Sequence, residues 1–125
     1  MKARENLVRL KQFQVNEKRR QLLQLDQMVA EFDRMAGELD AQIQIEEQKS
    51  GISDVSHFAY PTFAKAARQR RDNLNNSRNE LMQQKAAAEA SLAEAEVELQ
   101  KAEQLENRDG RVRDNDVEMR RAMTG

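Results

Sequence analysis

The sequence predicts an all-α protein whose chain forms one long two-helix antiparallel coiled-coil hairpin. Two long segments carry apolar residues at every seventh position and contain few helix-breaking residues, which is typical of coiled-coil helices. A short segment between them, residues 51–60, holds the only histidine and is followed directly by the only proline. The charges of the two long segments are complementary only if the chain folds back at this short segment.

The composition limits both the size of the core and the range of functions. Of the 125 residues, 38% are hydrophobic, 34% are charged and 4% are aromatic, which suits long helix seams better than a thick core. The net charge of −1 lacks the basic excess of most nucleic-acid-binding proteins, so we expect no nucleic-acid partner. No apolar run reaches the roughly 18 residues of a transmembrane helix. We therefore expect a soluble, cytoplasmic protein.

The first arm, residues 2–50, repeats an apolar residue every seven positions without a miss. The repeating positions are Val8, Val15, Leu22, Val29, Ala36 and Ile43. At the second seam position, Leu25, Phe32 and Leu39 follow the same spacing, whereas Lys11 and Lys18 occupy it nearer the N-terminus. Sustained heptads of this kind predict one continuous coiled-coil helix.

The second arm, residues 61–108, carries the matching heptad. Its first seam position holds Ala67, Leu74, Leu81, Ala88, Ala95 and Ala102. The companion position holds Ala64, Leu92 and Leu99, but also the cations Arg71, Arg78 and Lys85. We expect these three cations to pack their alkyl stems in the seam and to keep their charged ends in water.

The turn between the arms has its own signals. Gly51 is predicted to end the first helix in the left-handed conformation, and Ser53 or Asp54 can cap a short helical turn. Pro61 suits the first turn of the second helix. The densest apolar cluster of the chain lies here, in Ile52, Val55, Phe58, Tyr60 and Phe63. These side chains can plug the end of the coiled coil, or some of them can remain exposed as a docking surface.

The remaining residues, 111–125, are charged and only weakly periodic. Asp109 and Gly110 interrupt the heptad before them. We predict a hairpin over residues 1–110, followed by a helical extension or a frayed tail.

Blocks of charge predict the direction in which the helices pack. Residues 2–20 are mainly basic and residues 26–49 mainly acidic, whereas residues 65–85 are mainly basic and residues 89–106 mainly acidic. Folding at the turn places opposite signs together, and a register in which paired residue numbers add up to about 107 aligns the seams. A parallel pairing of two chains would align like charges instead.

The chain shows no motif for catalysis or for a cofactor. It lacks a glycine-rich phosphate loop, a nucleophile elbow and the HExxH zinc motif, and its carboxylates lie on predicted solvated faces where no burial shifts their pKa. His57 is a lone histidine in the turn, which we interpret as neutral or structural. We therefore expect no enzyme, no cofactor and no metal site. The basic clusters at residues 18–20 and 68–71 face acidic blocks in the hairpin, so we expect them to be paired or solvated.

Two stretches carry a resemblance to a known family. LVRLKQFQVNEKRRQLLQL near the N-terminus and HFAYPTFAKAARQRRDNL after the turn resemble the FliJ family of flagellar export proteins, in the form seen in alphaproteobacteria. The resemblance implies a cytoplasmic stalk of the flagellar type III export apparatus at the inner membrane, with a fold similar to the central stalk of rotary ATPases. It implies two main partners, the hexameric ring of the export ATPase FliI and the export gate protein FlhA, and export chaperones as further ones.

The resemblance also implies which residues meet these partners. In such proteins the end with both termini enters the ATPase ring, so the candidates for ATPase binding are Arg4, Leu7, Leu10, Lys11, Phe13, Arg111, Arg113, Arg120 and Arg121. The gate-binding surface lies nearer the turn, where the candidates are Gln42, Ile45, Phe58, Tyr60, Phe63 and Ala67. Two alternatives stay open: an escort chaperone or adaptor that does not act on the ATPase, and a homodimer of two hairpins.

Overall fold

A computed structural model describes residues 2–124. Within this range the chain consists of two α-helices, α1 (Lys2–Ser50, 49 residues) and α2 (Thr62–Thr124, 63 residues), and it contains no β-strand. The helices pack against each other, so the predicted all-α helical hairpin is confirmed. The chain divides into two compact units, and each takes part of both helices. We call them the turn unit, Leu23–Ala87, and the terminal unit, which holds the described residues 2–22 and 88–124.

In the turn unit the two helices run in opposite directions, as three ion pairs show. Each pair joins an aspartate of α1 to a cation of α2. From one pair to the next, the residue number of the aspartate rises by seven and that of the cation falls by seven. The pairs are Asp26–Lys85 at 2.9 Å, Asp33–Arg78, and Asp40–Arg71 at 2.9 Å. We call these three pairs the Asp–cation ladder. Arg71, Arg78 and Lys85 are half-buried in the seam, so their stems pack as predicted, but their charged ends bind aspartates as well as facing water.

The register of the ladder differs slightly from the register expected for the seam. The residue numbers of each pair add up to 111, whereas the seam predicts about 107. Helical side chains lean toward the N-terminus of their own helix. In an antiparallel pair, two charged side-chain ends therefore meet when their Cα atoms lie a few residues further toward the C-termini than two residues at the same height. The sum of their residue numbers is then larger than the sum for two residues at the same height. The offset therefore follows from side-chain direction.

The core is the seam itself. Among the described residues eight hydrophobic side chains are buried, and seven of them occupy predicted seam positions. These seven are Val15, Ala36, Ile43, Ala64, Ala67, Leu81 and Ala102. Four of them are alanines, whose small side chains leave room for the bulkier residues of the facing helix.

The terminal unit repeats the antiparallel arrangement. Arg4 pairs with Asp109 at 2.9 Å, and Arg19 pairs with Glu96 at 3.6 Å. A residue further along α1 therefore pairs with an earlier residue of α2, as antiparallel helices require. Val15 is fully buried and Ala102 is 3% exposed. The beginning of α1 therefore packs on α2 between about residues 92 and 109.

The turn forms as its residue types predict. Gly51 has φ of +71°, and its N–H donates to the Glu47 carbonyl at 2.9 Å, which ends α1. The Asp54 carboxylate accepts from the Ser56 N–H at 3.0 Å and from the Ser56 hydroxyl at 2.8 Å. The Pro61 carbonyl accepts from the Lys65 N–H at 3.0 Å. Pro61 thus stands at the cap position just before α2, where its missing N–H costs nothing.

Beyond Gly110, α2 continues as a helix to Thr124. All residues from 111 to 124 are exposed, so no part of the described chain covers this extension. Because the extension prolongs an existing helix, it avoids the cost of nucleating a new one. Neither helix is long and apolar enough to cross a membrane within the described range.

The buried seam generates a test of stability. Leu81 is 7% exposed, and we expect Leu81→Ala to lower the free energy of unfolding by about 2–3 kcal/mol, because it leaves a cavity in a thin core. Leu23→Ala, at a side chain that is 57% exposed, is the matched control and should change it by less than about 0.5 kcal/mol. Urea unfolding followed by circular dichroism measures both, and equal effects would contradict the assignment of the seam.

Candidate functional site

Three polar side chains lock the turn between the helices. Glu47 lies in the last turn of α1, Tyr60 precedes Pro61, and Arg68 lies in the second turn of α2. The Tyr60 hydroxyl donates to Glu47 Oε1 at 2.8 Å, Arg68 Nε donates to the Tyr60 oxygen at 2.8 Å, and the Arg68 guanidinium donates to Glu47 Oε1 at 2.7 Å. The guanidinium carbon lies 5.9 Å from the centre of the Tyr60 ring. We call this group the turn clamp.

The clamp changes the acid–base properties of its members. The hydrogen bond from Arg68, followed by the one from Tyr60, lowers the pKa of the Glu47 carboxyl below its usual value. The same bond to Glu47 is the main reason that the pKa of Arg68 is raised. Both groups therefore stay charged at neutral pH, and the turn is held by a charge-assisted network.

The aromatic cluster at the turn divides into buried and exposed members. Tyr60 is buried at 8% exposure and Ile52 is half-buried, so these two plug the end of the coiled coil. Val55, Phe58 and Phe63 are 42%, 97% and 55% exposed. We call these three residues the turn surface. The cluster therefore has both buried and exposed members, and the use of the exposed ones as a docking surface stays a prediction.

Phe58 is held in place although it is almost fully exposed. The His57 ring stacks on it with 4.8 Å between ring centres and 22° between the planes. His57 Nδ1 accepts a hydrogen bond from the Ala59 N–H at 3.0 Å, which fixes the orientation of the imidazole. The lone histidine therefore supports an exposed phenylalanine, and this is a structural role.

The other candidates for gate binding differ in their accessibility. Gln42 is exposed and Ile45 is 50% exposed on α1. Tyr60 and Ala67 are buried, at 8% and 3%, so in this structure neither side chain is accessible to a partner. The heptad repeat of the second arm indicates that Tyr60 is buried, because Tyr60 lies seven residues before the seam residue Ala67.

Near the N-terminus, the candidates for ATPase binding also separate by exposure. Leu10 and Phe13 are 51% and 61% exposed, as their position off the predicted seam requires. Leu7 and Lys11 are half-buried. The guanidinium of Arg4 is engaged with Asp109 at 2.9 Å. We call Leu10 and Phe13 the terminal surface.

The candidates at the C-terminal end all lie on the exposed extension of α2. Arg111, Arg113, Arg120 and Arg121 are exposed. Four apolar side chains accompany them, Val112, Val117, Met119 and Met123, with exposures between 46% and 85%. This extension combines positive charge with accessible apolar area, which is the composition of many protein-binding helices.

Several cations of the two basic clusters are engaged with carboxylates. Arg19 pairs with Glu96, Arg20 with Glu17, and Arg71 with both Asp40 and Asp72. Arg68 belongs to the turn clamp. Charges held in this way are less available to a phosphate backbone than an open basic stripe would be. Across residues 2–124, no group of three or more acidic or histidine side chains is placed to hold a metal ion.

Comparisons of the chain with protein-family models, with curated proteins and with solved structures found no match.

The turn clamp generates a pH-dependence test. The folded-state pKa of Glu47 lies below its unfolded value of about 4.5, so the clamp stabilises the fold above that pH, and this stabilisation is lost as the pH falls through the folded-state pKa. We expect Glu47→Gln to lower the stability near pH 7 and to reduce the loss of stability between about pH 5 and pH 3.

Thermal unfolding of the variant and the wild type across this pH range measures the effect. Tyr60 is the only tyrosine in a chain without tryptophan, so its fluorescence reports on the clamp directly. Glu80→Gln removes an exposed carboxylate of α2 and is the control. Parallel pH curves for wild type and Glu47→Gln would rule out a contribution of the clamp to stability.

Proposed function

We propose that this protein is a non-catalytic coiled-coil stalk that regulates the flagellar type III export ATPase and links it to the export gate. The turn surface and the terminal surface carry the proposal. Each exposes large apolar side chains that the seam does not use, and exposed apolar residues of this kind mark sites of protein interaction. The resemblance of two stretches to FliJ supplies the identity of the partners.

The terminal surface suits the ATPase ring as its partner. In the proposal, Leu10 and Phe13 contact the inside of the FliI hexamer, and the arginines of the α2 extension add charge to the same contact. The pairing of Arg4 with Asp109 then has a different task, which is to hold the first turns of α1 against α2. Leu7 and Lys11, both half-buried, hold the same segment in place.

The turn surface suits the gate protein FlhA. Phe63 and Phe58 are its two largest exposed side chains, and aromatic anchors often dominate the energy of an interface. The turn clamp fixes the backbone on both sides of the surface, which reduces the entropy lost on binding. Gln42 and Ile45 on α1 extend the contact in this proposal. The protein itself would be cytoplasmic and would reach the inner membrane through the gate.

An ATPase assay tests the terminal surface. Adding the full chain to FliI should raise ATP turnover and ring formation, and the double variant Leu10→Asp/Phe13→Asp should abolish most of the increase, because it places charge in an apolar contact. Removal of residues 111–125 should lower it as well. Val97→Asp, at an apolar side chain of the terminal unit that is 48% exposed, is the matched control and should stimulate like wild type. A wild-type chain that leaves turnover and assembly unchanged would refute the proposal.

A binding assay tests the turn surface separately. Phe63→Ala should weaken binding to the cytoplasmic domain of FlhA by about tenfold, which is the usual cost of removing an aromatic anchor, and Phe58→Ala should act in the same direction. Neither change should affect ATPase stimulation. Met82→Ala, in the turn unit at 37% exposure, serves as the control. Calorimetry gives the affinities, and unchanged binding for both phenylalanine variants would exclude this surface as the gate contact.

A further inference from the structure

In the turn unit, α1 carries a second apolar stripe beside the seam. Met28, Phe32, Met35, Leu39 and Gln42 follow one another at steps of four, three, four and three residues, which places them on one face of a helix. Phe32 and Leu39 belong to the seam as well, and both are half-buried; Met28 is 47% exposed. The apolar face of α1 is therefore wider than its contact with α2.

This stripe borders an open groove between the two helices. The groove is lined on the α1 side by Met35, Glu38, Leu39 and Gln42, and on the α2 side by Arg70, Leu74 and the small polar residues Asn73 and Ser77. Its volume is about 460 Å³. A second hollow of about 480 Å³ lies along the same face of α1 beside Met28 and Phe32. The short side chains of α2 leave the apolar floor uncovered.

The geometry of the stripe suits an α-helix as the occupant. A helix with apolar residues at three of its seven heptad positions normally packs against two neighbouring helices. Within the described residues α1 has one such neighbour, α2. The stripe from Met28 to Gln42 is roughly 21 Å long at 1.5 Å per residue, which is enough for four turns of a docked helix. Methionines in such a surface adapt to the side chains of a partner.

The charged residues at the groove indicate which charged side chain a docked helix would carry. Glu31 and Glu38 stand beside the stripe on α1, and both are bound by Arg34. Arg70 lines the groove on α2, where it is exposed and forms no ion pair within the described part of the chain. The groove therefore offers one unpaired positive charge to an incoming helix.

We propose that this groove seats an amphipathic α-helix of a partner protein, with a heptad apolar stripe on the α1 stripe and a carboxylate opposite Arg70. A second copy of the chain fits less well. Two grooves meeting about a two-fold axis would offer each Arg70 only Glu31 and Glu38 of the other copy, and Arg34 already binds both of these carboxylates. The proposal does not depend on the identity of the export apparatus, because its residues lie outside the turn and terminal surfaces; only Gln42 is shared with the proposed gate contact.

Two synthetic helical peptides of 21 residues provide the probe. Both carry leucine at the heptad stripe positions; one has glutamate along the edges of the stripe and the other has lysine. We expect the glutamate peptide to bind the full chain about three- to fivefold more tightly, as one exposed ion pair allows. Amide NMR shifts should cluster at the residues that line the groove. Shifts that cluster elsewhere, or their absence with both peptides, would refute the proposal.

Variants of the chain sharpen the test. Met28→Glu/Met35→Glu should weaken the glutamate peptide about tenfold or more, whereas Leu23→Glu, on the same helix but outside the groove, should not. Arg70→Glu should reverse the preference to the lysine peptide, and this variant decides the outcome if the double variant loses helicity. Equal binding by the groove variant and the Leu23 control would overturn the proposal. A chain mass that doubles in sedimentation, and that Met28→Glu/Met35→Glu returns to the monomer, would assign the groove to a second copy instead.

Discussion

The contact between the heptad faces of α1 and α2 is the interaction on which the other features of this protein depend. Seven of the eight buried hydrophobic side chains among the described residues lie in this contact, so these residues form no second hydrophobic core. The phase of this seam also decides which side chains a partner can reach. Leu10 and Phe13 are exposed because Val8 and Val15 are the seam residues beside them, and a rotation of α1 by about half a turn around its axis would exchange the two sets. Binding surfaces and stability are thus two consequences of one packing choice.

Polar contacts choose the direction of packing and close the turn, whereas the apolar seam provides the burial. Each exposed ion pair of the Asp–cation ladder contributes only about 0.2–1 kcal/mol, but the parallel alternative would replace attraction with repulsion. At the turn, Glu47, Tyr60 and Arg68 join both helices in one hydrogen-bonded group. Because this group ties together the residues on either side of the exposed Phe58, it reduces the entropy that the turn would lose on binding a partner.

Heptad periodicity was sufficient to predict the helices and the seam positions, because a strict seven-residue repeat leaves few alternatives for burial, and the blocks of charge predicted the antiparallel direction. Gly51 and Asp54 were equally predictable, since only a few residue types suit their roles in a turn. The burial of Tyr60 was one of two alternatives that the sequence left open, because its aromatic ring and its place before Pro61 suited exposure as well as packing. The Tyr60 hydroxyl is buried at low cost only because Glu47 and Arg68 bind it. These two residues lie 13 and 8 positions from Tyr60 in the sequence, and no local sequence pattern predicts such contacts. The groove was missed for a related reason: Met28 and Met35 reveal a second stripe only when α2 is known to leave them uncovered.

A distance measurement within single molecules tests the antiparallel seam most directly. Spin labels at Gln27→Cys and Gln84→Cys stand on exposed positions of the two helices in the turn unit, and the chain has no natural cysteine. The account predicts one narrow distance distribution of at most a few tens of ångströms, set by helix axes about 10 Å apart and the length of the labels, and unchanged when labelled protein is diluted with an excess of unlabelled chain. A separation approaching roughly 85 Å, as in one continuous helix, or a short distance that disappears on dilution, would contradict it.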